Sequence, residues 1–420
     1  MKFARKLKDE SGQATIVTLL CMTCLLGFVG FAADVGTLLR AKRNMQIAAD
    51  SAAIAGAAEL TYGDMTTAAD AAAAQNGVVV GVNGGTVIVN SPPKAGPYAG
   101  LTGGYVEAIV SQSEPTFFMK IFHFSSMTVA ARAVAYAGGV SNDCVYVLNP
   151  TASEAMWMKG SFDVSAPKCG VIVNSNNSCA MEFTGGGGSL TAGSIGVAGG
   201  DCGQTGDSTP APVTQVAQVS DPLGSMTTPT PTGCTTITAT MTGTLSPGCY
   251  SAPTGKKGAL GTVAISNATL GSGTYVFEGN VVLSGSVTSG AGGTTLDMYN
   301  GALSENTGAA LNLVAPSPCP TGTLPPCGGL YGGIAIMQPA SNTNMLLFDF
   351  GSSSGKIDGI IYAPNAELEL HDSGGDKSGG LQLITDLIVG TLYDQTATLS
   401  IQSYSQTEGY SPLTKVALVE

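Results

Sequence analysis

From Ala14 to Ala33 the chain reads ATIVTLLCMTCLLGFVGFAA, twenty residues without a charge. At 1.5 Å per residue a helix of that length covers the roughly 30 Å hydrocarbon core of a bilayer. The run is too long for the 7–15-residue apolar core of a cleaved signal, and a prepilin-type cut after Gly12 would leave Val17 where a Glu is required. The pattern therefore predicts an uncleaved transmembrane anchor over 14–33, behind a basic head at 1–13. Asp34 to Leu60 lacks proline and is rich in helix formers. Val35, Leu38, Leu39, Ile47 and alanines 48, 49, 52, 53 and 55 form an apolar stripe at helical spacing. Those alanines make a smooth face for the chain's own sheet or for a partner helix. Gly63 ends this helix, and a shorter one is expected over Thr66–Gln75, stopped by Asn76-Gly77. Strand patterns follow at Gly77–Val82, Thr86–Asn90 and Tyr105–Gln112; Pro115 opens a short helix, and Met127–Ala137 alternates like a strand. Residues 34–139 thus read as a small helix-plus-sheet (α+β) module.

From Cys144 onward the rhythm changes. Short apolar runs such as GVIVNS, GTVAISNATL and GKIDGIIYAPNAELEL are separated by Gly, Ser, Asn and Thr every eight to twelve residues. That is an all-β pattern. Fragments such as NATLGSGTYVF resemble the irregular coils of a right-handed parallel β-helix, which buries Val, Ile and Leu inside and sets small polar residues at its corners. A β-sandwich is the alternative. Within this 140–420 domain, the Pro/Thr-rich stretch 209–231 is expected to be a long loop strapped to the surface. The final YSPLTKVALVE would add an edge strand or cap the body.

The first third resembles the N-terminal domain of TadG-like proteins of the Flp/Tad pilus-assembly system. The family carries a "GQ" before its membrane helix, a "DVG" at the outer end and an R-x-x-Q-x-A-A-D run after it. Here these are Gly12-Gln13, Asp34-Val35-Gly36 and Gln46 through Ala57, and Thr128–Gly139 (TVAARAVAYAGG) resembles the end of the domain. The resemblance, over about residues 10–139, implies a cell-envelope protein of a pilus and secretion apparatus, with other envelope proteins of that apparatus as partners and no catalytic residues to transfer. Some relatives add a von Willebrand A domain with a D-x-S-x-S metal site. The nearest string here starts at Asp163 and lacks the second Ser.

Composition adds compartment and partners. Charged residues make up only 11% of the chain, and glycine reaches 58 of 420. The net charge is −12. The head sets Lys2, Arg5, Lys6 and Lys8 against Asp9 and Glu10, so the acidic excess lies beyond it. No arginine follows Arg132, which argues against nucleic acid, whose phosphates need clustered Lys and Arg. Of ten cysteines, Cys21 and Cys24 lie in the apolar run. Cys144, Cys169, Cys179, Cys202, Cys234, Cys249, Cys319 and Cys327 read as a disulfide set from an oxidising compartment, with connectivity open. Cys202 and Cys234 bracket the 209–231 loop and would staple it. The basic head and these cysteines together predict a bacterial inner-membrane protein with a cytoplasmic N-terminus and a periplasmic bulk, although Arg40, Lys42 and Arg43 beyond the span weaken the charge argument.

Candidate chemistry is sparse. The string ELELHDSGGD concentrates Glu367, Glu369, His371, Asp372 and Asp376, with Glu367, Glu369 and His371 on one strand face. A general acid/base pair or a Ca²⁺ site is the functional reading; a solvated face is the plain one. Polysaccharide is the corresponding ligand class. Serine-hydrolase elbows and phosphate loops lack their context. Trp157 reads as core or as a sugar-stacking surface, and His123 as structural. No cofactor is expected, and the sequence points to a non-enzyme.

Overall fold

The computed structural model describes residues 11–60, 64–101, 104–140, 143–203, 208–224, 226, 228–255, 258–306, 308–317, 331–349, 355–372, 381–404 and 414–420. The chain divides into two compact units, one running to Leu60 with Asp64–Ala137 and Val416–Glu420, the other containing Gly138–Lys415.

In the first unit a single helix, α1, runs unbroken over Ser11–Ala58, 48 residues, or about 72 Å. The membrane-length segment and the alanine-rich continuation are therefore one rod. Its outer part buries Met45, Ala48, Ala49, Ala52, Ala53 and Ala57 against the chain's own sheet and a second helix. The small side chains permit this closeness: a Cβ on Gly56 would already lie 3.3 Å from Val106. The second helix, α2 (Met65–Gln75), starts at Asp64, whose carboxylate accepts the Thr66 and Thr67 N–H groups, and ends at Asn76. Gly77–Val82, expected as a strand, is instead a turn leading into a 3₁₀ segment at Val82–Gly84. Gly77 and Gly81 both take left-handed φ, near +88° and +83°, which a strand cannot hold. Thr86–Asn90, Tyr105–Pro115 and Ser126–Val140 form an antiparallel sheet, and Thr414–Leu418 joins it beside the last of these. Arg132 ties this together: its guanidinium bonds the buried Glu107 at 2.5 Å and Glu420 at 2.7 Å.

The second unit is one 23-stranded sheet in which every pairing among the described residues is parallel, unlike an antiparallel sandwich. The pairings trace three continuous ladders. The first contains Thr235–Thr236, Gly248–Ser251, Gly273–Glu278, Thr294–Asn300, Ile334–Met337, the starts of Ile360–His371 and Leu387–Gln395, then Asp143–Val147, the ends of Asp163–Val173 and Ser189–Val197, and Val213–Thr214. The second ladder includes Leu303–Glu305, Leu346–Asp349, the ends of Ile360–His371 and Leu387–Gln395, Met156–Lys159 and Met181–Thr184. The third includes Ala310–Val314, Gly355–Asp358, Leu381–Ile384, Thr398–Gln402 and the start of Asp163–Val173. Strands such as Asp163–Val173 turn a corner from the third ladder to the first, so the sheet wraps around a single core. Inward rows are apolar: Tyr275, Leu296, Ile336, Ile361, Leu387, Val145, Val171 and Ile195 stack in register, all buried.

Sequence order and spatial order differ. The level built from 387–402 pairs on one side with 360–384 and on the other with 143–165. The chain therefore starts mid-stack, builds to one end at Val213–Thr214, crosses to the other end at Thr235–Thr236, and builds back to the middle. The crossing is the proline-rich segment. Its Val219, Leu223 and Met226 lie on Tyr146, Tyr331, Ile334, Ile360, Tyr362 and Ile388, the outward side of the first ladder. Asn174 donates to Val219 O at 2.6 Å and accepts its N–H, while Tyr362 Oη donates to Asp221 at 2.8 Å. This strap begins after Val213–Thr214, which together with Ser208–Thr209 forms short paired strands where the sequence reading expects loop.

Among the described residues three disulfides join neighbouring levels: Cys144–Cys169, Cys179–Cys202 and Cys234–Cys249. Cys202 and Cys234 are thus not partners; each is held within its own end of the stack, and the strap is bracketed without being stapled. Cys319, Cys327 and Asp376 lie outside the described residues, as does most of the basic head.

Candidate functional site

Two places concentrate features that packing alone does not require. The first lies at the outer end of the apolar part of α1. Ile16, Leu19, Leu20, Leu25, Phe28 and Phe31 all expose large apolar side chains, whereas Asp34, one turn beyond Gly30, is fully buried. The Asp34 carboxylate is buried because it is satisfied. Its Oδ1 accepts the Phe117 N–H at 2.9 Å, and its Oδ2 accepts those of Phe118 and Met119 at 2.8 and 2.7 Å. These are the free N–H groups at the start of the 3₁₀ turn Met119–Phe122, an ordinary seat for an anion. The Phe118 ring lies directly on Gly30, where any Cβ would come within 2.1 Å of it. His123 ends the turn in a left-handed conformation and is exposed. The DVG triplet is visible in the sequence, but the seating of the FFMKIF turn on its aspartate is not; its local trace is an acid at the rim of an apolar helix and an aromatic run elsewhere.

The second place is the outward side of the second ladder. Glu367, Glu369 and His371 share that side, as strand alternation requires. His371 Nε2 lies 2.7 Å from Glu369 Oε1, and Thr391 donates to Glu367 at 3.3 Å. Asp372 turns away and is buried. Register adds residues far off in sequence: Glu369 pairs with Tyr393, Tyr393 with Trp157, and His371 with Gln395 and then Lys159. Trp157 is half-buried, stacks on Tyr393 with ring centroids 4.7 Å apart, and donates its indole N–H to Thr184. Lys159 sits 5.4 Å from the indole centroid. Burial, together with the charges of Glu369 and Glu367, raises the Tyr393 phenol above its usual range. Among the described residues, no group of three or more His, Cys, Asp or Glu is placed to hold a metal ion. The cluster offers hydrogen-bonding acids beside aromatic edges, with both large rings stacked against neighbours.

A long helix whose exposed apolar half is of membrane length points to a membrane anchor, and the chain continues into a small α+β unit and an all-parallel β body crosslinked by disulfides. Residues 12–59, which are almost the whole of α1, match the family model Tad, Flp pilus-assembly TadE/G-like. No curated protein and no solved structure matches the chain.

Proposed function

We propose that this chain is a non-enzymatic envelope protein that assembles or anchors a Flp/Tad-type pilus or its secretion apparatus. The observation that carries this reading is the coincidence of the matched stretch, 12–59, with the one continuous helix joining the apolar segment to the alanine face. The head (1–13) lies in the cytoplasm, 14–33 spans the inner membrane, and the module at 34–139 and the β domain at 140–420 are periplasmic. Three disulfides within 144–249 support that side, because such bonds persist in oxidising compartments. The three parallel ladders support a right-handed parallel β-helix, the usual hand of a parallel crossover. Its partners are other proteins of the pilus apparatus.

The test is genetic. Deletion is expected to abolish or sharply reduce surface pili, the full chain to restore them, and a version with 12–59 replaced by an unrelated single-span anchor to fail. Normal piliation in the deletion strain overturns the reading. A second reading, a surface adhesin or carbohydrate-binding body on the same anchor, draws on the Glu369, His371, Tyr393 and Trp157 cluster. Polysaccharide binding by the full chain that is lost on Glu369→Gln would favour it.

A further inference from the structure

We propose that the turn Phe117–Phe124 is a membrane-immersed wedge, seated in the outer part of the bilayer beside the anchor, and that its occupant is lipid. The inference rests on reading 14–33 as a membrane span.

Four observations converge. The turn is apolar and outward-facing, with Phe117, Ile121, Phe122 and Phe124 exposed by 72%, 67%, 71% and 59%. Side chains of that kind left in water would form a large apolar patch, which soluble surfaces avoid. The turn is also at membrane depth. Phe118 lies on Gly30, and the groove between turn and helix is lined by Cys24, Phe28 and Phe31. These residues lie three to ten positions before Asp34, or roughly 5–15 Å down the helix axis. The exposed apolar belt of α1 and the exposed apolar tip of the turn therefore form one continuous surface.

Most backbone N–H groups of the turn are satisfied within the protein, as a medium without water requires. Irregular chain is tolerated beside hydrocarbon only where its polar groups are satisfied within the protein. Phe117, Phe118 and Met119 give their N–H groups to Asp34. Thr116, Ile121, His123 and Phe124 give theirs to Ser125, Phe118, Lys120 and Met119 carbonyls, and the Thr116 hydroxyl closes the base on Phe124 O. Finally, the one charged side chain in the turn is Lys120, exposed and long enough to carry its ammonium up to the phosphate level. Asp34 thus acts as the latch: it neutralises the start of the turn and fixes it against the span.

The experiment uses the full chain in nanodiscs of phosphatidylethanolamine and phosphatidylglycerol, with a solvatochromic noncanonical amino acid at position 25, 101 or 122. Position 25 lies in the span, and Leu101 is an exposed apolar residue of the same unit just before Tyr105, at the end of strand Tyr105–Pro115 opposite the turn. The expected result is a blue-shifted emission at 122, quenched by brominated lipid as at 25 and insensitive to aqueous iodide, with the opposite behaviour at 101. Asp34→Ala is expected to shift the emission at 122 to the red and reduce its lipid quenching while leaving position 25 unchanged. Iodide quenching at 122 with position 25 still in lipid overturns the proposal. Shielding of 122 from both quenchers also overturns it, in favour of a protein partner. Failure of lipid quenching at position 25 would instead refute the span itself.

Discussion

At the scale of single residues, the β body carries carboxyl groups in its apolar interior. Glu305 occupies an inward position in the second ladder, in register with Leu283, and neither of its carboxylate oxygens has a hydrogen-bond partner among the described residues. Burial, helped by the charge of Asp349, pushes it up to about 8. Asp394 lies between Leu370 and Met158 in the same kind of row. Burial pushes it to about 8 despite the Ala397 N–H; Asp297, on the outward side of its strand beside the inward Leu296 yet also buried, rises to about 6 despite its bond from Tyr331. A carboxyl whose folded pKa exceeds its unfolded value stabilises the fold in its protonated form; that contribution is complete below about pH 4 and is lost as pH climbs through the folded pKa. The β body should therefore be most resistant to unfolding in mild acid, with each of these groups removing roughly 1.4 kcal/mol per pH unit between its two pKa values. Thermal unfolding followed from pH 5 to pH 9 is expected to show a falling midpoint, and Glu305→Gln a shallower fall; a midpoint that rises over this range would contradict the assignment. Glu305 was legible in part: it shares strand parity with Leu303, but the neighbouring Asn306 and Gly308 make LSENTG look like a polar turn. Only the stacking of Leu303 on Val281 shows that the acid points inward.

At the scale of elements, the same strand can read in two ways along its length. Ile360–His371 begins IIYA and ends ELELH. The second part alternates because one side faces the core and the other the surface. The first part is apolar throughout because the strap covers its outward side, placing Ile360 and Tyr362 against Leu223 and Val219. The strap also explains its own length. The first ladder has eleven strands, and ten spacings of about 4.8 Å make about 48 Å. The twenty residues between Thr214 and Thr235 can span about 66 Å when extended, enough to cross with about 18 Å to spare for bends. Burial raises the pKa of Asp221 against the opposing effect of the Leu223 N–H and the Tyr362 hydroxyl, so this carboxyl depends on its donors. Tyr362→Phe is expected to cost about 1–3 kcal/mol by leaving a buried acceptor unmet, and to open the strap to thermolysin near Leu223. Unchanged cleavage in native conditions would show that apolar contacts alone hold it.

At the scale of the whole molecule, the decisive feature is the order of levels in the stack. A protein of stacked repeats gains stability from nearest-neighbour interfaces, so the level formed by 387–402 supports both the levels before it and those formed by 143–173. Leu392 is buried there, paired with Leu368 on one side and Met156 on the other. Leu392→Ala is expected to cost about 2–5 kcal/mol and to raise hydrogen exchange in both 360–371 and 156–159, although these segments are some 200 residues apart in sequence. Exchange that rises only around 387–395 would refute the shared support.

The sequence alone determined the apolar run of membrane length, the helix that continues it, the resemblance to the pilus-assembly family now matched over 12–59, the all-β body and the acidic face of the ELELH strand. Each follows from residues near one another in the chain, through periodicity, caps or alternation. Tertiary structure decided which cysteines pair, which acids are inside, that the proline-rich stretch runs the length of the stack, and that Asp34 holds the turn at 117–119. It also set Trp157 beside Tyr393 and brought 143–165 to rest on the level at 387–402. The physical reason is that parallel strands pair through register with partners reached only after a full circuit of the core, so neither the pairing nor the side of burial is written in any local run of residues.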